Sequence, residues 1–293
     1  MPTGSRSDAR GPTLTFARRI CVRLLRETGI YRIGRNVAVV RGYHGFSRRP
    51  IDAARFVVFN RENDNFTYEI DNVDELARLL AAALGLSEER VREVLRELEQ
   101  DGDLRRSITR RLRNHGNRNR TAGYGRRLGW YAVARLTRPK LIVETGIHDG
   151  LGSTVLLRAL QRNAADGHEG RLLAFDIRPD VGWLIEDGLR DRYDVCVGDT
   201  RQSLPREIAG RDVDMFVHDS DHSYDHETFE FETVVSHATE GAALISDNPH
   251  GSTAFTDFCV RHDLRPYVFI ERPRRHIYPG AGLGLTLNEL GQS

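Results

Sequence analysis

The sequence predicts an α/β protein: a Rossmann-like, doubly wound, mostly parallel seven-stranded sheet behind a mainly helical N-terminal region. Three observations carry this expectation. At 141–160 a short apolar run ends in Glu144, a turn holds Gly146, Gly150 and Gly152, and a helical pattern follows. Strand, glycine turn and helix form the opening unit of a nucleotide-binding sheet. From residue 171 to 262, short apolar runs alternate with helical patterns, the order of a parallel sheet with helices on both faces. Finally, five successive strand candidates end in an acid: Glu144, Asp176, Asp199, Asp219 and Asp247.

The N-terminal part is read first. Residues 1–12 are polar and expected to lack order. Residues 14–28 read as a helix closed by Gly29. The runs 56–59 and 66–70 read as short strands around a polar turn. Asn72 with Glu75 makes a capping-box-like start, and Val73, Leu76, Leu79, Leu80 and Ala83 mark one helical face stopped by Gly85. Ser87 caps a second helix with Val91, Val94, Leu95 and Leu98 on its stripe, ending before Gly102. The pair resembles half of a winged helix. Its second helix opens with Glu88 and Glu89, a poor face for phosphates, so nucleic acid is not the expected partner. Residues 114–127 are polar and glycine-rich and read as a linker or mobile loop at a domain boundary, whose arginines are either solvated, the commoner case, or face an acidic ligand. The expected division is 1–120, an arm with a helical lid or dimerisation region, and 121–293, the sheet domain.

Within the sheet domain, 128–136 reads as a helix ahead of the opening strand. Strands are expected at 171–176, 193–199, 213–219 and 241–247, with helices at 183–189, 202–209, 226–238 and 253–262. The last two strands, 266–270 and 283–287, lack an intervening helix, so one of them is antiparallel.

Carboxyl ends of parallel strands line the crevice where ligands bind. Five acids on that rim repel one another unless something positive sits among them. A sulfonium and ammonium ligand, a divalent metal, or both would answer the need. Glu144 at the first strand tip suits an ammonium or hydroxyl and repels a phosphate. The spacing of Gly146, Gly150 and Gly152 also departs from the dinucleotide pattern. Net charge is +1, so no global field points to nucleic acid or a membrane. Cys21, Cys196 and Cys259 are far apart and read as reduced thiols of a cytoplasmic protein. No apolar run approaches the roughly 20 residues of a membrane span.

The stretch Val143-Glu-Thr-Gly followed by Gly150 and Ser153, with Asp176, Asp199 and the segment His218-Asp-Ser-Asp-His-Ser-Tyr224, resembles class I S-adenosylmethionine-dependent methyltransferases. Nearest in pattern is the branch of macrocin-type sugar O-methyltransferases and cephalosporin-hydroxylase-like proteins, together with metal-dependent O-methyltransferases. The resemblance spans roughly residues 124–290. It implies that Glu144, Gly146 and Gly150 cradle the methionine part of S-adenosyl-L-methionine and that Ser153 meets its carboxylate. Asp176 would take the ribose hydroxyls, and Asp199 with Thr200 would lie beside the adenine. For Asp176 and Asp199 the plain alternative is a helix cap.

The resemblance also implies Mg²⁺ on Asp219, Asp247 and Asn248, since Mg²⁺ takes hard oxygen ligands. Here the plain alternative is acids that bind no metal. His222 stands where the catechol-type enzymes carry a basic lysine and would take the proton of the acceptor; His250 is a second choice. The implied partner is a small-molecule hydroxyl: a sugar, a glycosylated natural product or a phenol. Two other readings remain: the same fold working without metal, and a DNA-binding regulator with a ligand-sensing methyltransferase-like domain. A homo-oligomer formed through the N-terminal region is compatible with all three.

Overall fold

A computed structural model describes residues 29–60, 67–115 and 122–288. By internal contacts the chain forms two compact units: residues 1–61 with 275–278, and residues 62–274 with 279–293. The expected helix at 14–28 lies outside the described residues, as does the turn ahead of residue 67.

In the first unit, α1 (Gly29–Gly42), α2 (Gly45–Arg48) and α3 (Pro50–Phe59) pack on one another. The Asn36 amide donates to the carbonyls of Phe56, Val57 and Asn60, satisfying the open C-terminal end of α3. The strand expected at 56–59 is therefore the last turn of this helix. Its four apolar residues carry no period of their own. Pro50 at the helix start, with Ala53 and Phe56 buried three apart, decides for helix.

The second unit begins with α4 (Val73–Leu84) and α5 (Glu88–Glu99) at the expected positions. Gly85 closes α4 in the left-handed conformation, and Ser87 Oγ accepts the Arg90 N–H. Asn72 bonds Glu75 but also ties to the Ile270 carbonyl and the Arg272 N–H, so it links α4 to the sheet rather than capping it. Residues 67–70 form no strand; Ile70 makes a single bridge to Pro273. A further helix, α6 (Gly102–Asn114), was not expected. Asp101 caps it and Leu104, Ile108 and Leu112 bury one stripe. Five arginines within the helix mask that stripe, and Gly102 looks like a terminator. A third helix thus follows α5 where a winged helix would turn back as strands.

The expected linker needs a larger correction. Residues 116–121 lie outside the described part, but Ala122, Tyr124, Arg126 and Arg127 are buried. This segment leads into α7 (Arg127–Thr137), followed by β1 (Leu141–Thr145), α8 (Leu151–Ala165) and β2 (Arg171–Asp176). The helix expected at 183–189 is instead a turn followed by a 3₁₀ segment, Asp187–Arg192; Gly182 with positive φ precedes the turn. Then come β3 (Tyr193–Val197), α9 (Thr200–Ile208), β4 (Val213–His218), α10 (Tyr224–Val235), β5 (Ala238–Asp247), α11 (Ala254–Arg261), β6 (Tyr267–Ile270) and β7 (Gly282–Leu287).

The strand order is β3-β2-β1-β4-β5-β7-β6, with the first five parallel and β7 antiparallel to both neighbours. Val143, Phe175, Phe216 and Leu244 from the strands share one core with Phe231, Phe255 and Phe258 from α10 and α11. The order reverses beside β1, which has β2 on one side and β4 on the other. A crevice opens at such a switch point, at the strands' carboxyl ends.

Candidate functional site

The glycine turn after β1 is shaped by what lies against it. Gly146 has φ 88°, and a Cβ there would collide with the Asp219 carbonyl of the β4 tip. Gly150, also at φ 88°, approaches Gly182, where a Cβ would stand 2.7 Å from its Cα. The Asp176 carboxylate holds the turn: Oδ2 accepts the N–H groups of Ile147 (3.0 Å) and His148 (2.9 Å), and Oδ1 that of Arg178 (2.9 Å). Asp199 caps α9 through the Arg201 N–H at 2.9 Å. The cap alternative thus holds for Asp199, while Asp176 braces the turn. Both still face a cavity of about 460 Å³, together with Gly146, Thr200, Asp219 and His226.

Below the turn, Glu144 is fully buried. Its Oε2 accepts the Ser153 hydroxyl at 2.5 Å, so Ser153 is spent inside the protein. Its Oε1 has no partner. A Cβ on Gly152 would come within 2.7 Å of that oxygen and 2.5 Å of the Trp130 ring. Burial pushes the Glu144 carboxyl up to about 8. Gly152 lines a second cavity of about 260 Å³ with Arg126, Arg127, His148, Asp149 and Asp219. Asp219 lines both cavities. An orphaned buried acceptor, a turn that excludes side chains and a cavity of ligand size fit S-adenosylmethionine, whose ammonium would satisfy the free oxygen.

Asp219, His222 and Asp247 bring ligand atoms within 4.8 Å of one another. His222 Nε2 lies 3.8 Å from Asp219 Oδ1 and 3.3 Å from the Asn248 amide nitrogen. Burial lowers the His222 imidazole below its ordinary value, which keeps it neutral. Burial and the nearby Asp247 carboxylate push Asp219 well up. Burial acts the same way on Asp247, but the Arg126 guanidinium outweighs it and holds this carboxyl low. Arg126 grips Asp247 with two nitrogens: Nε bonds Oδ1, and Nη2 bonds Oδ2 at 2.5 Å. Asn248 Nδ2 adds a third donor to Oδ2 at 2.7 Å. Tested against Mg²⁺, this donor set does not fit as it stands. Asp247 is already shared among three N–H donors, and Asn248 turns its N–H side toward it.

His218 and His226 sit on β4 and α10. Both bond the buried Glu230, at 2.7 and 2.9 Å, and Glu230 also accepts from Thr145 and Ser220. Burial favours the protonated Glu230, yet these bonds hold its carboxyl well below the usual range. His226 in turn meets Thr200 Oγ1 at 2.9 Å, so the hub braces the cavity wall.

Trp130 and Tyr131 are buried in α7 and pack rather than wall the cavity, and Tyr224 is exposed. His250 is exposed as well. Sequence reasoning missed Arg126, Arg127, Glu271 and Glu230. The i, i+4 spacing of His226 and Glu230 on α10 was a usable signal. For Arg126 and Arg127 the only signal was their place in an arginine-rich run, which reads as solvated or as facing an acidic ligand and does not single them out. Among the described residues no helix is long and apolar enough to cross a membrane.

Residues 143–248 match a family described as a methyltransferase domain. No curated protein matches the chain. Among solved structures, the chain is similar to the O-methyltransferase TomG of Streptomyces achromogenes, involved in tomaymycin synthesis and solved with S-adenosylmethionine. There the identity is 19%, with 64% of this chain and 90% of that chain covered and a TM-score of 0.47. It is similar to an O-methyltransferase of Bacillus cereus at 14% identity, with 73% and 97% covered and a TM-score of 0.42. A methyltransferase of Geobacter sulfurreducens aligns at 23% identity, with 54% and 76% covered and a TM-score of 0.41. The glycine turn and the acid-tipped strands all lie within residues 143–248, the segment that matches the methyltransferase-domain family.

Proposed function

We propose that this protein is an S-adenosylmethionine-dependent O-methyltransferase acting on a hydroxyl of a small molecule. The observation that carries the reading is Glu144: a buried carboxyl with one oxygen unpartnered, beneath a glycine turn at the mouth of the crevice. Glu144 would meet the ammonium, the Gly146 turn would admit the methionine chain, and Asp176 has an acceptor position left for a ribose hydroxyl. Asp199 and Thr200 would border the adenine. When bound, the cofactor supplies an electrophilic methyl group on a sulfonium, which needs no activation of its leaving group.

The protein's tasks are then to orient, to exclude water and to take a proton. His222 is the candidate base. Its Nε2 lies 3.3 Å from Asn248 Nδ2 and 3.8 Å from Asp219 Oδ1, and as a neutral imidazole it would exchange the Asn248 contact for the acceptor hydroxyl and take that proton as the oxygen bonds the methyl carbon. The Mg²⁺ expected from the resemblance takes no step here. Sugars, glycosylated natural products and phenols are the acceptor classes to try.

Calorimetry with S-adenosylmethionine and S-adenosylhomocysteine tests the first half of this reading. Mass spectrometry of a mixed acceptor panel, reading a gain of one methyl group on oxygen, tests the second. Absence of cofactor uptake by folded protein would sink the proposal outright.

A further inference from the structure

The acid-tipped rim needs a positive charge, and the structure already holds one there. Arg126 is nearly buried, with 9% of its side chain exposed, and its guanidinium lies flat against both oxygens of the fully buried Asp247. This fork-to-fork pairing is the strongest geometry available to the two groups. The arginine is not a side chain that drifted inward. Its backbone N–H donates to Glu271 Oε2 at 2.6 Å, and Nη1 lies 3.7 Å from Glu271 Oε1. Glu271 is itself held by the Tyr68 hydroxyl at 2.5 Å and the Ala281 N–H at 2.8 Å. Gly125, at φ 55°, lets the chain pass where a Cβ would stand 2.9 Å from Glu271 Oε2 and 3.1 Å from the Tyr68 ring.

We propose that Arg126 is the resident cation of this site, occupying the place beside Asp219 and Asp247 that a divalent ion would need, so that the site excludes such an ion. A Mg²⁺ ion stands about 2 Å from each carboxylate oxygen it binds. On Asp247 it would lie against the guanidinium, and the two positive charges would repel strongly in a buried setting. Asn248 Nδ2 lies 2.7 Å from the same Asp247 oxygen, while its own Oδ1 is buried without a partner, so the assignment stands on the Arg126–Asp247 pairing and not on Asn248. If the protein is the methyltransferase proposed above, the guanidinium also supplies the positive field for the acceptor oxygen as it loses its proton to His222. That last clause rests on the proposed function; the assignment of the cation does not.

Mn²⁺ titration of the full chain, stripped with chelator and desalted, followed by the electron paramagnetic resonance of free Mn²⁺, tests the proposal. The wild type is expected to take up none. Arg126→Ala is expected to take up about one Mn²⁺ per chain under conditions where the wild type takes up none, because the repelling charge is gone. Asp247→Asn in that background should abolish the gain. Should the alanine variant not fold, Arg126→Gln, which retains much of the stem, is read in the same way. Stoichiometric Mn²⁺ on the wild type overturns the assignment, and so does a folded Arg126 variant that gains no site. S-adenosylhomocysteine calorimetry on the same wild-type sample keeps the two readings apart: no uptake removes the proposed function and leaves the Mn²⁺ result to stand or fall alone.

Discussion

Glu144→Gln separates the energetic burden of this buried carboxyl from its shape. The substitution keeps size and planarity and still offers an oxygen to the Ser153 hydroxyl. In the folded protein the carboxyl is raised from the ordinary 4.5 to about 8 by burial. Between those two values the folded chain keeps a proton that the unfolded chain has lost, so stability falls as pH rises. The slope is about 1.4 kcal/mol per pH unit for one proton. Across this window the loss reaches roughly 5 kcal/mol and then levels off above pH 8. The glutamine variant has no such slope. Its stability relative to wild type should climb steadily from pH 5 to pH 8, by several kcal/mol in total, in urea unfolding at fixed temperature. Parallel wild-type and variant profiles across that range would refute the reasoning, because Glu144 would then be ionised in the fold. A second readout follows from the proposed function. An ammonium seated on the free oxygen ionises Glu144, so cofactor uptake near pH 7 should release a proton. Calorimetry in two buffers of different ionisation heat should see it in wild type and not in the variant.

Three further outcomes follow. Asp176→Ala leaves the N–H groups of Ile147, His148 and Arg178 without their acceptor, and should cost about 1–3 kcal/mol in unfolding experiments along with most of the cofactor affinity. Gly146→Ala places a Cβ against the Asp219 carbonyl at a φ of 88° and should abolish S-adenosylhomocysteine binding in calorimetry while lowering the melting temperature; unchanged binding would mean the turn does not form the cradle. His222→Ala should lower kcat by about 10²–10⁴ while leaving cofactor affinity intact; full turnover would remove His222 as the base.

Local pattern was enough for most of the sheet domain. The alternation of apolar runs with capped helices, the reversal to an antiparallel last strand, and the acid at each strand tip are properties of short segments. They survive without knowledge of the rest of the chain, because strand tips of a parallel sheet meet at one edge whatever packs around them. Gly146, Asp176, Asp199, Thr200 and Asp219 therefore face the same cavity, as their positions after successive strands implied. Where a segment had no period, pattern misled. The four apolar residues at 56–59 belong to a helix, and the stripe of α6 was diluted by arginine.

What each acid at the rim does was decided only in three dimensions. A carboxylate's role depends on its partners, and those come from distant parts of the chain. Ser153 and burial make Glu144 a proton holder, backbone N–H groups make Asp176 a brace, and Arg126 occupies Asp247 across a separation of 121 residues. Arg126 did not stand out because it sits in a polar, glycine-rich run whose arginines more commonly are solvated than face a ligand. Tyr68 and Glu271, far away in sequence, fold that run inward and turn an ordinary surface arginine into the buried positive charge of the site.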